Sequence, residues 1–271
     1  MYSIPSTFIR IAGNDRLKWL NGLVTNDLRN LDQQPYVEAF ITDVKGRTLS
    51  HGLFVSHSDS IFYWSAGEEQ SHALLTHWDR YIIREDVTLE DLSAKYRCVY
   101  FDGTEALPDN AISFPFGQAP GCGSLVISSI AIPLTSTTSS THWNQQRIAN
   151  RWPVFGIDYD QRNLPQEIDR DAQAISFRKG CYLGQETVAR LDALGQVQKK
   201  LFTFRLLGAD SVTSQAKIVC DGQEAGFITS VVSDPQSPSS QLALGYLKRA
   251  FFKDHSKLSV QNMPLQVFLA T

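Results

Sequence analysis

Residues 176–190 read SFRKGCYLGQETVAR, and they set a lysine, a glycine, a cysteine and a tyrosine side by side ahead of a stretch with helical character. The thiolate is the reactive form of cysteine, and two cations, Arg178 and Lys179, stand just before Cys181. Gly180 permits a sharp turn, so we expect Cys181 at a helix N-terminus, where backbone N–H groups stabilise an anion. The pattern predicts an activated thiol. The structural alternative is a packed cysteine beside a solvated lysine.

Composition excludes several classes of protein. The four cysteines include no CxxC pair and no nearby Cys/His ladder, which argues against a zinc ribbon or a cluster held by the protein alone. The net charge of -3 argues against a surface built for nucleic acid. No apolar run approaches the roughly 20 residues of a membrane span, and no signal peptide is visible. We therefore expect a cytoplasmic protein with no membrane contact and no metal site of its own.

Short elements of both kinds alternate along the first two thirds of the chain. The period of the apolar residues predicts strands at 4–12 and three times within 36–67, and it predicts helices at 13–28, 68–83 and 142–153. A further strand is predicted after Val87. Strands that follow one another through short turns favour antiparallel pairing. The alternation therefore predicts an α+β region built on antiparallel sheets.

Beyond residue 196 the pattern changes to short strands separated by turn residues. Within CDGQEAG, the pair Asp221-Gly222 predicts a two-residue hairpin turn. Repeated short strands at this spacing indicate a small β-barrel. We therefore expect two domains, an α+β region over residues 1–196 and a C-terminal β-barrel over residues 197–271.

Four segments together resemble the YgfZ family, which is related to the T protein of the glycine cleavage system, a folate-dependent aminomethyltransferase. KGCYLGQETVAR (179–190) is similar to the family's K-G-C-Y-x-G-Q-E signature. WLNGLVTNDL (19–28), ITDVKGRTLSHGLFV (41–55) and QQRIANRWPVFGIDYDQRNLPQEID (145–169) are similar to other segments of the family, in the same order. One position departs from the pattern, since Arg151 stands where R-I-x-x-G-x-P has its glycine.

The resemblance implies an α+β, T-protein-like fold of three subdomains around a central cavity, two of them within residues 1–196 and the last a C-terminal β-barrel. It implies that the cavity binds tetrahydrofolate or a one-carbon derivative. It also implies a role in the assembly or repair of iron–sulfur clusters, and thereby in tRNA modification by cluster-dependent enzymes. The expected partners are the iron–sulfur assembly machinery or client iron–sulfur enzymes, besides the folate itself.

The chemistry of folate suggests which residues form the site. A flat pterin needs an apolar slot with a few polar groups, and an acidic glutamate tail needs cations. Cys181 and Lys179 are the candidates for chemistry, and we expect Cys181 to face the folate cavity. The sequence does not choose among a nucleophile, a transient iron or sulfur ligand and a redox group for the thiol. Each candidate folate contact has a structural alternative as a core or surface residue. The candidate contacts are Trp152, Phe177 and Tyr182 for stacking, Asn26, Asp27 and Glu167 for the pterin edge, and Arg147, with Lys179, for carboxylates.

Two other functions stay open at this point. One is a true one-carbon transferase, of which an aminomethyltransferase acting on a lipoyl-carried group is the nearest example, although an assembly factor is the favoured interpretation. The other is a module that binds tRNA directly. Its support is a locally basic stretch, but charges on a solvated helix and strand explain that stretch more simply, so direct nucleic-acid binding is not expected. The basic residues are Arg178, Lys179, Arg190, Lys199, Lys200 and Arg205.

Overall fold

The structure is a computed structural model that describes residues 2–67, 70–102, 107, 111–117, 123–129, 139–195, 197–208, 211–237 and 239–268. The strands of these residues form a five-stranded sheet, a three-stranded sheet and a closed six-stranded barrel. No helix in this part of the chain combines the length and the apolar character that a membrane crossing requires. The predicted α+β class with a C-terminal β-barrel is confirmed.

The five-stranded antiparallel sheet comes first in the chain. Its strands are β1 (Ser6–Ala12), β2 (Val37–Thr42), β3 (Thr48–His57), β4 (Ser60–Ala66) and β5 (Thr88–Asp91), and its helices are α1 (Arg16–Asn21) and α2 (Ser71–Asp79). The strand order is β2-β3-β4-β1-β5. β2 and β4 are buried along their whole length. α1 and α2 cover one face of both strands, the three-stranded sheet packs on the other face of β4, and the chain after α3 and the barrel pack on the other face of β2. The three strands predicted within 36–67 are therefore confirmed.

The predicted first helix was too long, because α1 ends at Asn21 rather than near residue 28. The residues that follow bond to distant backbone instead of continuing the helix. The Asn26 amide donates to the carbonyls of Glu38 and Gln173, each at 2.8 Å, and the Asn21 side chain accepts from the N–H of Leu28. Such side-chain bonds compete with helical ones. The turn after α1 is thereby tied to β2 and to the segment around residue 173.

The three-stranded antiparallel sheet consists of β6 (Arg97–Phe101), β7 (Ile112–Pro115) and β8 (Ser124–Ser128), in the order β6-β8-β7. It shares one apolar core with the first sheet. Helix α3 (Ser140–Ala149) follows, and its Trp143 ring lies 5.1 Å from the ring of Phe116. The predicted helix at 142–153 is thus present, but it starts two residues earlier and ends at residue 149.

The barrel comprises β9 (Lys199–Leu207), β10 (Lys217–Cys220), β11 (Gln223–Ser233), β12 (Ser240–Lys248), β13 (Leu258–Val260) and β14 (Met263–Val267). It closes in the order β10-β11-β12-β9-β14-β13. The two-residue turn between β10 and β11 is confirmed, since Asp221 and Gly222 both have positive φ and Cys220 pairs with Gln223.

An irregular segment from residue 150 to 184 runs between α3 and the barrel. It contains the short α4 (Asp171–Ala174) and leads into α5 (Gln185–Leu194). Its apolar side chains pack against Phe40 of β2 and Leu201 of β9 in one core cluster. The segment therefore fills the space between the first sheet and the barrel.

Gly226 on β11 has no room for a side chain. A Cβ at this position would lie 1.8 Å from the carbonyl oxygen of Tyr246 on β12. We expect Gly226→Ala to lower the free energy of unfolding by at least about 3 kcal/mol, because backbone must move to relieve the contact. The measurement is urea denaturation. Gly180→Ala is the control, since its Cβ would meet open space, and equal stability of the two variants would contradict the strand packing described.

Candidate functional site

A cavity of about 510 Å³ lies where the five-stranded sheet, the three-stranded sheet, the 150–184 segment and the end of the barrel chain meet. Its described walls combine aromatic faces, amide groups and a few charges. They include the aromatic residues Tyr36, Phe116, Trp152 and Phe268, the amides Asn26, Gln34, Gln146, Asn150 and Gln173, and the charged residues Glu38, Arg151, Asp169 and Arg170.

A buried ion pair forms one wall of the cavity. The Arg170 guanidinium binds Glu38 in two places, with Nε 2.7 Å from Oε1 and Nη2 2.5 Å from Oε2. His51 Nε2 lies 2.7 Å from the same Oε1. Burial raises the pKa of Glu38, but the Arg170 charge and hydrogen bonds lower it by more, so its pKa lies below the ordinary value. Glu38 is therefore a fixed anion at neutral pH.

Trp152 lies against this pair. The Arg170 guanidinium is 5.4 Å from the Trp152 ring centroid, and the His51 ring is 4.6 Å from it. Trp64 stacks on the far side at 5.8 Å. The ring is held on several sides and is only 3% exposed, so it is a rigid part of the wall with little surface open to the cavity.

Arg151 enters the cavity wall from the end of α3. The helix closes with a Schellman pattern, in which Arg151 N–H donates to Ile148 and Trp152 N–H donates to Arg147. Arg151 has a φ of 53°, in the left-handed region where glycine is preferred. Its Nη1 pairs with Asp169, which also binds Lys200 of β9. In the family pattern R-I-x-x-G-x-P this position is glycine, which adopts the left-handed conformation without strain, whereas this chain has Arg151 there.

Of the predicted folate contacts, the structure brings Asn26 and Trp152 to the cavity. Both amide hydrogens of Asn26 are already used by backbone carbonyls, and its Oδ1 accepts from the N–H of Asp27. Asn26 therefore shapes the wall and has no free hydrogen for a pterin. Trp152 lines the cavity but is only 3% exposed, and its stacking on a folate stays a prediction.

Arg147 and Glu167 are buried away from the described cavity lining. Arg147 pairs with Asp158 at 2.8 Å and donates to Ser230 Oγ at 2.8 Å, so it joins α3 to the barrel. Glu167 accepts from Asn163 and from the N–H of Leu164. The Arg147 guanidinium and the Glu167 carboxylate, which the sequence suggested as ligand contacts, are thus bonded within the protein. Both residues hold segments of the chain together instead.

The three other candidates lie elsewhere too. Asp27 pairs with Arg29, which lowers the pKa of its carboxyl to about 2. Phe177 is 44% exposed on the surface. Tyr182 is buried in the core between β2 and the barrel, where burial raises its pKa. None of the three is among the described residues that line the cavity.

Residues 176–184, here called the strap, contain Lys179 and lie across the turn that follows α1. The N–H of Ser176 donates to the carbonyl of Thr25, and the N–H of Leu183 donates to that of Gly22, each at 3.0 Å. The Thr42 hydroxyl donates to the carbonyl of Leu183 at 2.6 Å. The strap is thereby fixed to both α1 and β2.

Lys179 is the central anchor of the strap. Its buried Nζ donates to the backbone carbonyls of Asn21, Val24 and Asn26 at 2.7, 2.9 and 2.6 Å. Burial lowers the pKa of Lys179 to about 8, so the ammonium form still dominates at neutral pH. An ammonium group has three hydrogens, and three carbonyls take them. The predicted chemical role of Lys179 therefore gives way to a structural one.

Cys181 is exposed on the strap and is not among the described residues that line the cavity. The expectation that it begins a helix was wrong, because α5 starts at Gln185 after an N-cap at Gly184. Gly184 has a φ of 80°, and a Cβ there would lie 2.5 Å from the carbonyl oxygen of Asp43. The thiol is therefore presented outward by a fixed loop, and no described Cys, His, Asp or Glu cluster with metal-ligand geometry surrounds it.

Sequence reasoning missed Glu38 and Arg170, the central pair of the site. A signal for Glu38 was present, since it is the charged residue of the apolar run VEAFIT. A charge in a strand buried on both faces needs a partner of opposite sign. Nothing in the sequence identified Arg170 as that partner, because 132 positions separate the two residues.

Comparison with known proteins finds relatives that carry two different names. The chain is 29% identical over 225 residues to the "Iron-sulfur cluster assembly factor IBA57 homolog, mitochondrial" of Mycosarcoma maydis, covering 74% of this chain and 56% of that protein. It is 27% identical over 227 residues to the "tRNA-modifying protein YgfZ" of Colwellia psychrerythraea, covering 72% and 67%. No family model matches the chain. These matches confirm the resemblance to YgfZ proteins, and the chain spans little more than half of the fungal relative.

A solved structure with the same fold is the glycine cleavage system aminomethyltransferase T from Bartonella henselae. It superposes with a TM-score of 0.72 at 11% identity, covering 97% of this chain and 83% of that one. At this identity the match establishes the fold alone. The predicted T-protein-like arrangement is confirmed.

Replacing Lys179 tests its role as an anchor. We expect Lys179→Met to lower the free energy of unfolding by about 2–3 kcal/mol, because three carbonyls lose their donor. Urea denaturation measures the change. The matched control is Arg178→Met, the exposed neighbouring cation, which we expect to change stability by less than about 0.5 kcal/mol. Equal effects of the two substitutions would refute the anchoring role.

Proposed function

We propose that this protein binds tetrahydrofolate, or a one-carbon derivative of it, in the central cavity and serves the assembly or repair of iron–sulfur clusters. Its effect on tRNA modification is then indirect, through cluster-dependent enzymes. The relatives named as an iron–sulfur cluster assembly factor and as a tRNA-modifying protein support both parts of this role. The observation that carries the ligand part is the cavity itself.

The cavity has the chemistry that a folate requires. A pterin and an aminobenzoyl ring are flat, and the partly exposed Tyr36 and Phe268 supply aromatic surface next to the buried Trp152 and Phe116. Amides such as Gln173 and Gln146 can donate and accept hydrogen bonds along a pterin edge. A volume of about 510 Å³ is within the range of small-molecule sites. The walls therefore suit a planar ligand with a polar rim.

The ionisable groups of the cavity favour binding over catalysis. Among the described lining residues the carboxylates are Glu38 and Asp169, and each is paired with cations. A general base must be free to take a proton at neutral pH. Neither carboxylate meets that requirement, so an assembly factor fits this chain better than an aminomethyltransferase does.

The basic stretch gives little support to direct tRNA binding. Lys179 binds three carbonyls, Lys200 pairs with Asp169, and Arg205 pairs with Asp234. Charges that are already paired contribute little to the counterion release that drives nucleic-acid binding. Arg178 and Arg190 are the exposed cations of this stretch without a described partner. We therefore infer that the protein affects tRNA modification indirectly, through cluster-dependent enzymes, and does not bind tRNA itself.

Cys181 acts, in this proposal, toward a partner macromolecule. Its side chain is exposed, while the strap that carries it is fixed at Lys179. A cluster normally takes about four ligands, so one thiol cannot hold it alone. A client or assembly protein that docks on the strap would supply the remaining ligands, with the Cys181 thiolate as a transient ligand to iron.

Filling the cavity should block the ligand. Gln146 lines the cavity from α3, and a tryptophan there would occupy part of its volume. We expect Gln146→Trp to weaken tetrahydrofolate binding at least tenfold, as measured by anaerobic calorimetry. Gln145→Trp is the matched control on the same helix, since Gln145 bonds to Ser233 outside the described lining. A wild-type protein that does not bind tetrahydrofolate would disprove the folate part.

The thiol can be tested apart from the cavity. We expect Cys181→Ser to bind tetrahydrofolate with the wild-type Kd, because Cys181 does not line the cavity. The same variant should fail to complement a strain that lacks its own copy, with cluster-dependent tRNA modification as the readout. The buried Cys98→Ser is a thiol control that should complement if it folds. Full complementation by Cys181→Ser would remove the thiol from the mechanism.

A further inference from the structure

Two cations lie in the described lining of the cavity, and their hydrogen-bonding capacity differs. Each nitrogen of Arg170 has a partner, since Nε and Nη2 bind Glu38 and Nη1 donates to the carbonyl of Asn150 at 3.0 Å. Arg151 binds Asp169 through Nη1 alone. Its Nη2 makes no hydrogen bond to any residue that the structure describes. Of the two, Arg151 is therefore the cation with nitrogens that no described residue bonds and that a ligand can use.

Arg151 is also open to the cavity. Its carboxylate partner Asp169 is shared with Lys200, and Lys200 is attracted in turn by the carboxylate of Asp171. The side chain of Arg151 is 18% exposed and lines the cavity. A partly desolvated guanidinium with unbonded nitrogens favours an anionic group.

The backbone at Arg151 points to the same conclusion. The residue after the C-cap of α3 is in the left-handed conformation, where a side chain is strained and glycine is not. A strained residue persists where its side chain has a use that outweighs the strain. The ion pair with Asp169 does not by itself explain why an arginine stands here, because Lys200 already provides a cation for this carboxylate.

We propose that Arg151 binds a carboxylate of the acidic tail of the folate and thereby makes the cavity selective for tailed over tail-less pterins. This rests on the folate function proposed above. A guanidinium with a free edge suits a carboxylate, which accepts parallel N–H bonds. The aromatic walls take the rings, and Arg151, at the C-terminal end of α3, takes the tail.

The test compares tetrahydrofolate with tetrahydropteroate, the same molecule without its glutamate, by anaerobic calorimetry. We expect the wild-type protein to bind the tailed ligand at least tenfold more tightly, and the ratio to fall as salt is raised. In Arg151→Gly and Arg151→Asn, both of which suit the left-handed backbone, the ratio should fall below about twofold. Arg151→Lys should keep part of the preference for the tailed ligand, because it keeps the positive charge. Binding of tetrahydropteroate reports in every variant that the cavity is intact.

Gln215→Gly is the matched control, since Gln215 also has a positive φ, of 67°, and lies in the barrel outside the described lining. It should keep the wild-type ratio. If Arg151→Gly and Arg151→Asn keep that ratio, or if the wild-type protein does not discriminate between the ligands, the tail-binding role of Arg151 is overturned and folate binding stands. If the wild-type protein binds neither ligand, the folate function itself is overturned, and the role of Arg151 with it.

Discussion

The buried pair of Glu38 and Arg170 is the constraint on which the arrangement of the cavity depends. Glu38 lies in a strand buried on both faces, and an unpaired carboxylate there would be costly, so the 150–184 segment must bring a cation to β2. That cation also donates to the carbonyl of Asn150 and lies over the Trp152 ring. One ion pair thereby positions the end of α3, an aromatic wall and the strand that faces them.

A second set of bonds separates the thiol from the cavity. Lys179 donates hydrogen bonds to three backbone carbonyls at the end of α1 and in the turn that follows it. Asn26 in that turn is hydrogen-bonded to β2 and to Gln173. The cavity wall and the strap therefore share one rigid turn, although Cys181 itself is exposed.

Much of the fold was predictable because it depends on local patterns. The strands within 36–67 and the barrel turn at Asp221-Gly222 follow from alternation and turn chemistry, and both are present. Helix lengths were less predictable, since polar residues such as Asn26 find distant partners that end α1 early. Of the residues predicted to contact folate, Trp152 and Asn26 reach the cavity, whereas Arg147 has its guanidinium taken by Asp158. A polar side chain looks the same in a sequence whether it bonds to a ligand or to the protein.

The sequence by itself determined the α+β class, the barrel, the resemblance to YgfZ proteins and the unusual setting of Cys181, because each of these is carried by periodicity or by a contiguous motif. Only the tertiary structure decided that Lys179 is an anchor, that Cys181 is exposed and that Arg151 is the cavity cation with nitrogens that no described residue bonds. The anchoring of Lys179, like the pairing of Glu38 with Arg170, joins donors and acceptors that lie more than a hundred positions apart in the chain. Whether a donor or an acceptor is still free for a ligand is known only once its partners in the folded chain are known. The linear sequence does not give those partners.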